Sequence, residues 1–135
     1  DWVWVSGDQG GELLMAANTN GELWGAGRND TGSLGLDNTT KYSSPVQVGG
    51  PGGWQSGGHG MAQSTSHNIT DANGDNTGGA LWACGSGAWG VLGTNVAGEG
   101  TINSPLQVGT DTTWVALTKQ GSNQNYWKLA IKRAD

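Results

Sequence analysis

The sequence predicts an all-β repeat protein, and three observations carry that prediction. Gly21-Glu22-Leu23-Trp24-Gly25-Ala26-Gly27, followed by Gly32-Ser33-Leu34-Gly35, returns 58 residues later as Gly79-Ala80-Leu81-Trp82-Ala83-Cys84-Gly85 and Gly90-Val91-Leu92-Gly93. Ser44-Pro45-Val46-Gln47-Val48-Gly49 returns 60 residues later as Ser104-Pro105-Leu106-Gln107-Val108-Gly109. Long-range copying at a near-constant spacing is the signature of a repeat architecture. The chain also carries 26 glycines, each of which costs a helix about 1 kcal/mol relative to alanine. Finally, its apolar runs are short and bounded by Gly, Asn and Asp, the pattern of strands.

The elements follow in order. Strands are expected at Trp2 to Val5, Leu13 to Ala17, Leu81 to Cys84, Trp114 to Leu117 and Trp127 to Ile131. In the last, Trp127, Leu129 and Ile131 alternate with Lys128, Ala130 and Lys132, which sets apolar and basic side chains on opposite faces. Helix content is expected to be close to nil. Trp54-Gln55-Ser56-Gly57 opens a second unit, matched upstream by Trp4-Val5-Ser6-Gly7 and downstream by Trp114-Val115-Ala116-Leu117. The units therefore run 1–53, 54–113 and an incomplete 114–135. The chain stops where the first unit would next supply Gly-x-Leu-Trp, and it begins with Asp. Both features lead us to expect part of a longer protein.

So much glycine also suits a disordered linker. Eight tryptophans and a copy maintained over 58 residues are what a packed fold requires and a linker does not. The glycines then serve tight turns, where φ is positive, and places where strands crowd together.

Taken in order, Leu-Trp-x-x-Gly, Gly-x-Leu-Gly, Ser-Pro-Val-Gln-Val and the Trp with Ser-Gly-Gly-His at Trp54 to His59 resemble the repeat of the regulator of chromosome condensation family. The resemblance covers essentially the whole chain. It implies a β-propeller, usually of seven four-stranded blades, of which this chain holds about two and a half. Propellers protect their strand edges by radial repetition, so the remaining blades or other subunits are expected partners. Members of that family bind through loops on the propeller faces, in roles as different as nucleotide exchange on chromatin, enzyme inhibition and light sensing. Function has to be argued from this chain's own residues.

Charge excludes one of those roles. A net charge of −5 with six Lys and Arg gives little with which to neutralise phosphates, so no nucleic-acid partner is expected. The light-sensing role needs Trp beside Arg, and Gly57-Gly58-His59-Gly60-Met61 supplies neither. No signal peptide or apolar run long enough to span a membrane is visible, so no membrane insertion is expected. Enzymatic chemistry has little footing. His59 falls where the family repeat places a structural histidine, and His67 is expected in a polar loop without a second ligand nearby. Cys84, the only cysteine, is expected to be a small buried hydrophobe. No Ser-His-Asp or paired-carboxylate set falls at matched repeat positions.

Two features differ between the units, and these are the candidate sites. Asp71, Asn73 and Asp75 have the spacing of the first half of a calcium loop, in which alternate oxygens converge on one ion. The glycine such a loop needs next is Asn76, and its twelfth position is Trp82 rather than Glu. With those two positions wrong for calcium, the preferred reading is a self-capping hairpin turn without metal. The segment is an insertion, since 27 residues separate Trp54 from Leu81 against 19 between Trp4 and Leu23. Trp89 has no counterpart in the first unit and reads either as a recognition aromatic or as cover for a neighbouring blade's edge. Asn29, Asn38 and Asn68 each open an Asn-x-Thr sequon, which a chain rich in Asn and Thr acquires by chance.

The sequence therefore predicts a non-enzymatic propeller module with no cofactor, a calcium ion at the Asp71 loop being the one candidate. Its acidic surface, rich in Gly, Asn and Thr, suits a virion appendage such as a tail fibre, or a cell surface, with a host surface receptor as partner. The alternatives are a soluble protein-binding propeller, either inhibitor or scaffold, and the non-catalytic part of a larger hydrolase or lyase.

Overall fold

The structure is a computed structural model that describes residues 1–8, 10–50, 52–62, 64–71, 75, 78–95, 100–117 and 131–133; residues 56–60, 62, 89 and 131–133 are described in their backbone alone. Among the described residues, ten strands follow one another along the chain. The first sheet holds β1 (Trp2–Gly7), β2 (Leu13–Asn18), β3 (Leu23–Gly27) and β4 (Tyr42–Gln47). The second holds β5 (Trp54–Ala62), β6 (Thr65–Thr70), β7 (Leu81–Ser86) and β8 (Thr101–Gln107). β9 (Trp114–Leu117) pairs with β10 (Ile131–Arg133) in a third sheet of two strands. Each sheet is an antiparallel meander in sequence order. Among the described residues the one helical element is a single 3-10 turn, Ala88–Gly90.

Core residues sit between the sheets. Leu13, Met15, Ala17 and Leu23 of the first sheet, with Leu34 and Val48 from its connections, close on Trp54 and Met61 of the second. Ile69 and Leu81 of the second sheet close in turn on Leu117 of the third, flanked by Val108 and Trp114. The chain passes each junction in the same way. The Trp54 N–H donates to the Gly21 carbonyl at 3.0 Å, and the Trp114 N–H donates to the Gly79 carbonyl at 3.0 Å. β5 lies beside both β1 and β9, so the first strands of successive sheets stand next to one another.

Three expectations are corrected. β4, β6 and β8 are strands without an apolar run, and β6 carries His67, which the sequence placed in a polar loop. All six residues of β6, Thr65-Ser66-His67-Asn68-Ile69-Thr70, are buried. Ser66 Oγ bonds to the turn after β3 and Thr70 Oγ1 to Ala80, while Thr65 Oγ1 and His67 Nε2 are buried without a hydrogen-bond partner among the described residues. The third correction concerns the repeat alignment. Trp2 pairs with Asn18, the last residue of β2, as Trp54 pairs with Thr70, the last residue of β6. Trp2 rather than Trp4 is therefore the counterpart of Trp54. Both meet the tryptophan of the Leu-Trp strand edge-on: Trp2 and Trp24 at 6.0 Å and 84°, Trp54 and Trp82 at 6.5 Å and 79°.

Of the predicted 127–131 strand, Ile131 alone falls among the described residues, paired with Leu117. The insertion in the second unit is the β6–β7 connection, residues 71–80, against 19–22 between β2 and β3.

Candidate functional site

The junction between the first two sheets is built by a turn. After β3 the chain reverses through Gly32, Gly35 and Asp37, with φ of 71°, 70° and 58°, a region that glycine enters without steric cost. Asn29 holds this turn from within. Its Oδ1 accepts the Leu34 N–H at 2.9 Å, and its Nδ2 donates to the Asn38 carbonyl at 2.9 Å. The turn then lands on the second sheet. Thr31 Oγ1 donates to the Ser64 carbonyl at 3.0 Å, Ser66 Oγ to the Ser33 carbonyl at 2.7 Å, and the Asp37 N–H to the Asn103 carbonyl at 2.7 Å. A methyl group built on Gly35 would sit 3.2 Å from Cys84 Sγ and from Pro105.

The second unit repeats the turn with different supports. Gly90, Gly93 and Asn95 have φ of 67°, 68° and 53°, the conformations of Gly32, Gly35 and Asp37. Gly87 stands where Asn29 would be, so the internal brace is missing. His67, on the adjacent strand β6, turns its imidazole towards the backbone of Val91 and Leu92, although its Nε2 is buried without a hydrogen-bond partner among the described residues. Burial pushes the His67 pKa below its ordinary 6.5, against a smaller upward pull from that backbone. His67 is thus a buried neutral brace.

Cys84 is buried, as the sequence predicts. Burial pushes its thiol up to about 11, opposed by the hydrogen bond shared with Ser66 Oγ at 2.9 Å. Its Sγ also donates to the Ser33 carbonyl at 3.5 Å. A thiol held in that state is a poor nucleophile, because the reactive species is the thiolate.

The candidate ligands fall in the β6–β7 connection. Asp71 is half-buried and Asp75 exposed. Asp71 Oδ1 accepts the Asp75 N–H at 3.2 Å, a bond that closes a turn. Asn73 lies outside the described residues. Among the described residues no three His, Cys, Asp or Glu side chains come together as a metal site. Trp89 falls in the 3-10 turn at the start of the 89–95 reversal, and its side chain lies outside the described residues. Two of the three sequons are closed to modification in the folded chain, since Asn29 and Asn68 are buried.

One surface went unread in the sequence. Trp2, Val5 and Leu14 are exposed on the first sheet although Trp54, the counterpart of Trp2, is buried. Pairing Trp54 with Trp2 from the outset would have revealed it.

Successive four-stranded antiparallel meanders, joined at their first strands and sealed by inter-sheet cores, define blades of a β-propeller. No family model matches the sequence, and no curated protein does. Among solved structures the chain is similar to human WBSCR16, with a TM-score of 0.65 and 18% identity over 81% of this chain and 25% of that one. It is similar also to Prp20p from Saccharomyces cerevisiae, described with its binding to Gsp1p and histones, with a TM-score of 0.61 and 17% identity over 82% of this chain and 27% of that one. Yeast RCC1 (Prp20) bound to Kap60 gives a TM-score of 0.61 and 20% identity over 85% of this chain and 27% of that one. The fold is that of the RCC1-like propeller repeat, and the chain spans about a quarter of the length of these proteins.

Proposed function

We propose that this chain is a non-enzymatic structural and interaction module of a propeller carried on a virion appendage, such as a tail fibre, or on a cell surface, where it mediates assembly or attachment to a host or partner. The observation that carries this reading is the use made of the reactive side chains. His67 braces a turn and Cys84 bonds across a junction, both buried, so the groups suited to catalysis hold the scaffold. Differences between the units fall in connections and on one open sheet face, where recognition is usually placed. The acidic, lysine-poor surface fits a setting outside the cell or on a particle.

A soluble protein-binding propeller is the second reading. What favours it is that yeast RCC1 (Prp20), to which the chain is similar in fold, was solved bound to Kap60. Immunogold labelling with an antibody against this chain separates the two. Label on particle appendages or the outer cell surface supports the first reading, and label confined to the cell interior overturns it.

A further inference from the structure

The turn between β2 and β3 carries an Asn-Gly pair at the joint between the first two sheets. Gly21 has φ of 71°, and Asn20 is exposed. Among the described residues no hydrogen bond holds the Asn20 side-chain amide, whereas Asn18 is tied down. Asn18 Oδ1 accepts the N–H groups of Asn20 at 3.0 Å and Glu22 at 3.1 Å, and its Nδ2 donates to Glu22 Oε2 at 2.5 Å. The Gly21 carbonyl accepts the Trp54 N–H at 3.0 Å, and Trp54 is buried. A methyl group on Gly21 would lie 3.1 Å from Gly53 Cα and 3.5 Å from the Trp54 nitrogen. The pair thus joins a carboxamide open to water to a backbone position with no spare room.

We propose that Asn20 is a self-modification site, converting to isoaspartate with water as co-reactant, and that the product unlocks the joint at Trp54. The Gly21 amide nitrogen loses its proton to solvent base and attacks Asn20 Cγ. The N–Cγ bond forms, the Cγ–Nδ2 bond breaks and ammonia leaves, giving a cyclic imide. Water then opens one C–N bond of that ring and returns a proton to the Gly21 nitrogen. Opening at Cγ gives aspartate. Opening at the main-chain carbonyl gives isoaspartate, whose backbone runs through Cβ and Cγ. Glycine permits the ring closure because it has no side chain to block the approach.

Two contacts set the rate and the consequence. The Gly21 N–H donates to the Asn18 carbonyl at 3.1 Å, so the nitrogen attacks when the turn opens, as exposed turns do locally. Isoaspartate adds a backbone atom ahead of Gly21. The Gly21 carbonyl then leaves its place, and the Trp54 N–H is stranded without its acceptor. The next joint is immune. Gly79 exchanges two bonds with Trp114, at 2.9 Å and 3.0 Å, but the residue before it is Gly78, which has no carboxamide.

This inference goes beyond the module reading, and its test does not depend on what the module attaches to. The chain is aged in warm, mildly alkaline buffer in an Asn73→Gln background, which leaves Asn20-Gly21 as the one Asn-Gly pair. Peptide mass spectrometry should find isoaspartate in excess of aspartate at position 20. Asn18→Ala should convert about 5-fold faster, because the turn loses its brace. Asn20→Gly, which copies the second unit, should not convert. The isoaspartate form, separated by ion exchange, should unfold at a urea midpoint lower by about 0.5 M. Asn20→Asp, with the same charge on an ordinary backbone, should keep the parent's midpoint. A position 20 that stays asparagine in the folded chain while it converts in urea would overturn the proposal. So would an Asn18→Ala rate equal to the parent's, or an isoaspartate form as stable as Asn20→Asp.

Discussion

Ser66 Oγ donates to the Ser33 carbonyl at 2.7 Å, joining the central strand of one sheet to the turn that leaves its neighbour. Both residues are buried, with 0% and 1% exposure, so water cannot replace the bond. Ser66→Ala should cost about 1–2 kcal/mol, the usual effect of stranding a buried acceptor. Cys84 Sγ, 3.5 Å from the same carbonyl, limits the loss. Urea unfolding measures it, and a change below about 0.3 kcal/mol would show that the bond contributes nothing to the junction.

His67 makes stability depend on pH in one direction. Above its ordinary 6.5 the imidazole is neutral whether the chain is folded or unfolded. As pH falls below that value the unfolded chain takes up a proton that the folded chain, with its depressed pKa, still refuses. Stability therefore falls with falling pH, by at most about 1.4 kcal/mol per unit, until the folded value is reached. His67→Met installs the residue that the first unit has at Met15. It should flatten this limb while costing stability at neutral pH through the loss of the turn's brace. Urea midpoints from about pH 5 to pH 8 test it; equal slopes in parent and variant would remove His67 as the source.

The same strand marks the limit of what the residues disclosed in advance. The Leu-Trp strands, the glycine turns and the propeller repeat were legible because apolar side chains and positive φ leave local signals. β6 left none. Thr-Ser-His-Asn-Ile-Thr reads as a solvated loop until sheets lie on both its sides, and only tertiary bonding makes a buried strand of it. Trp2 was misplaced for a similar reason, since a bulge between Trp2 and Trp4 shifts the register of β1. Of the candidate site, the inserted β6–β7 connection was legible from repeat length alone. The open face was not, because exposure depends on what lies opposite.

Cys84 should resist alkylation. With its thiol pushed up to about 11 and its sulfur buried, reaction with iodoacetamide near pH 8 should run at least ~100-fold slower in the native chain than in urea. Comparable rates would place the sulfur in solvent and break its assigned contacts.

The Asp71 connection is settled by ion titration. If the Asp71–Asp75 bond only closes a turn, millimolar calcium leaves the melting midpoint unchanged, and Asp71→Ala lowers it without calcium. A rise of more than about 2 °C, reversed by chelation and lost in Asp71→Ala, would instead assign an ion to the loop by mass action.

The central claim is that the chain forms successive blades joined by the seating of the 31–37 turn on the second sheet. Gly32 and Gly90 test it most directly, because they share a backbone conformation, φ 71° and 67°, and differ in surroundings. A methyl group on Gly32 would lie 2.6 Å from Asn103 Cα, whereas one on Gly90 meets nothing within 4 Å. Gly90→Ala should cost about 1–2 kcal/mol, the strain of left-handed backbone alone. Gly32→Ala should cost the same strain plus about 2 kcal/mol or more for displacing the turn from its seat. Unfolding free energies of the two variants, compared at low protein concentration, decide the matter. The account predicts a clearly larger loss for Gly32→Ala; equal losses would contradict it.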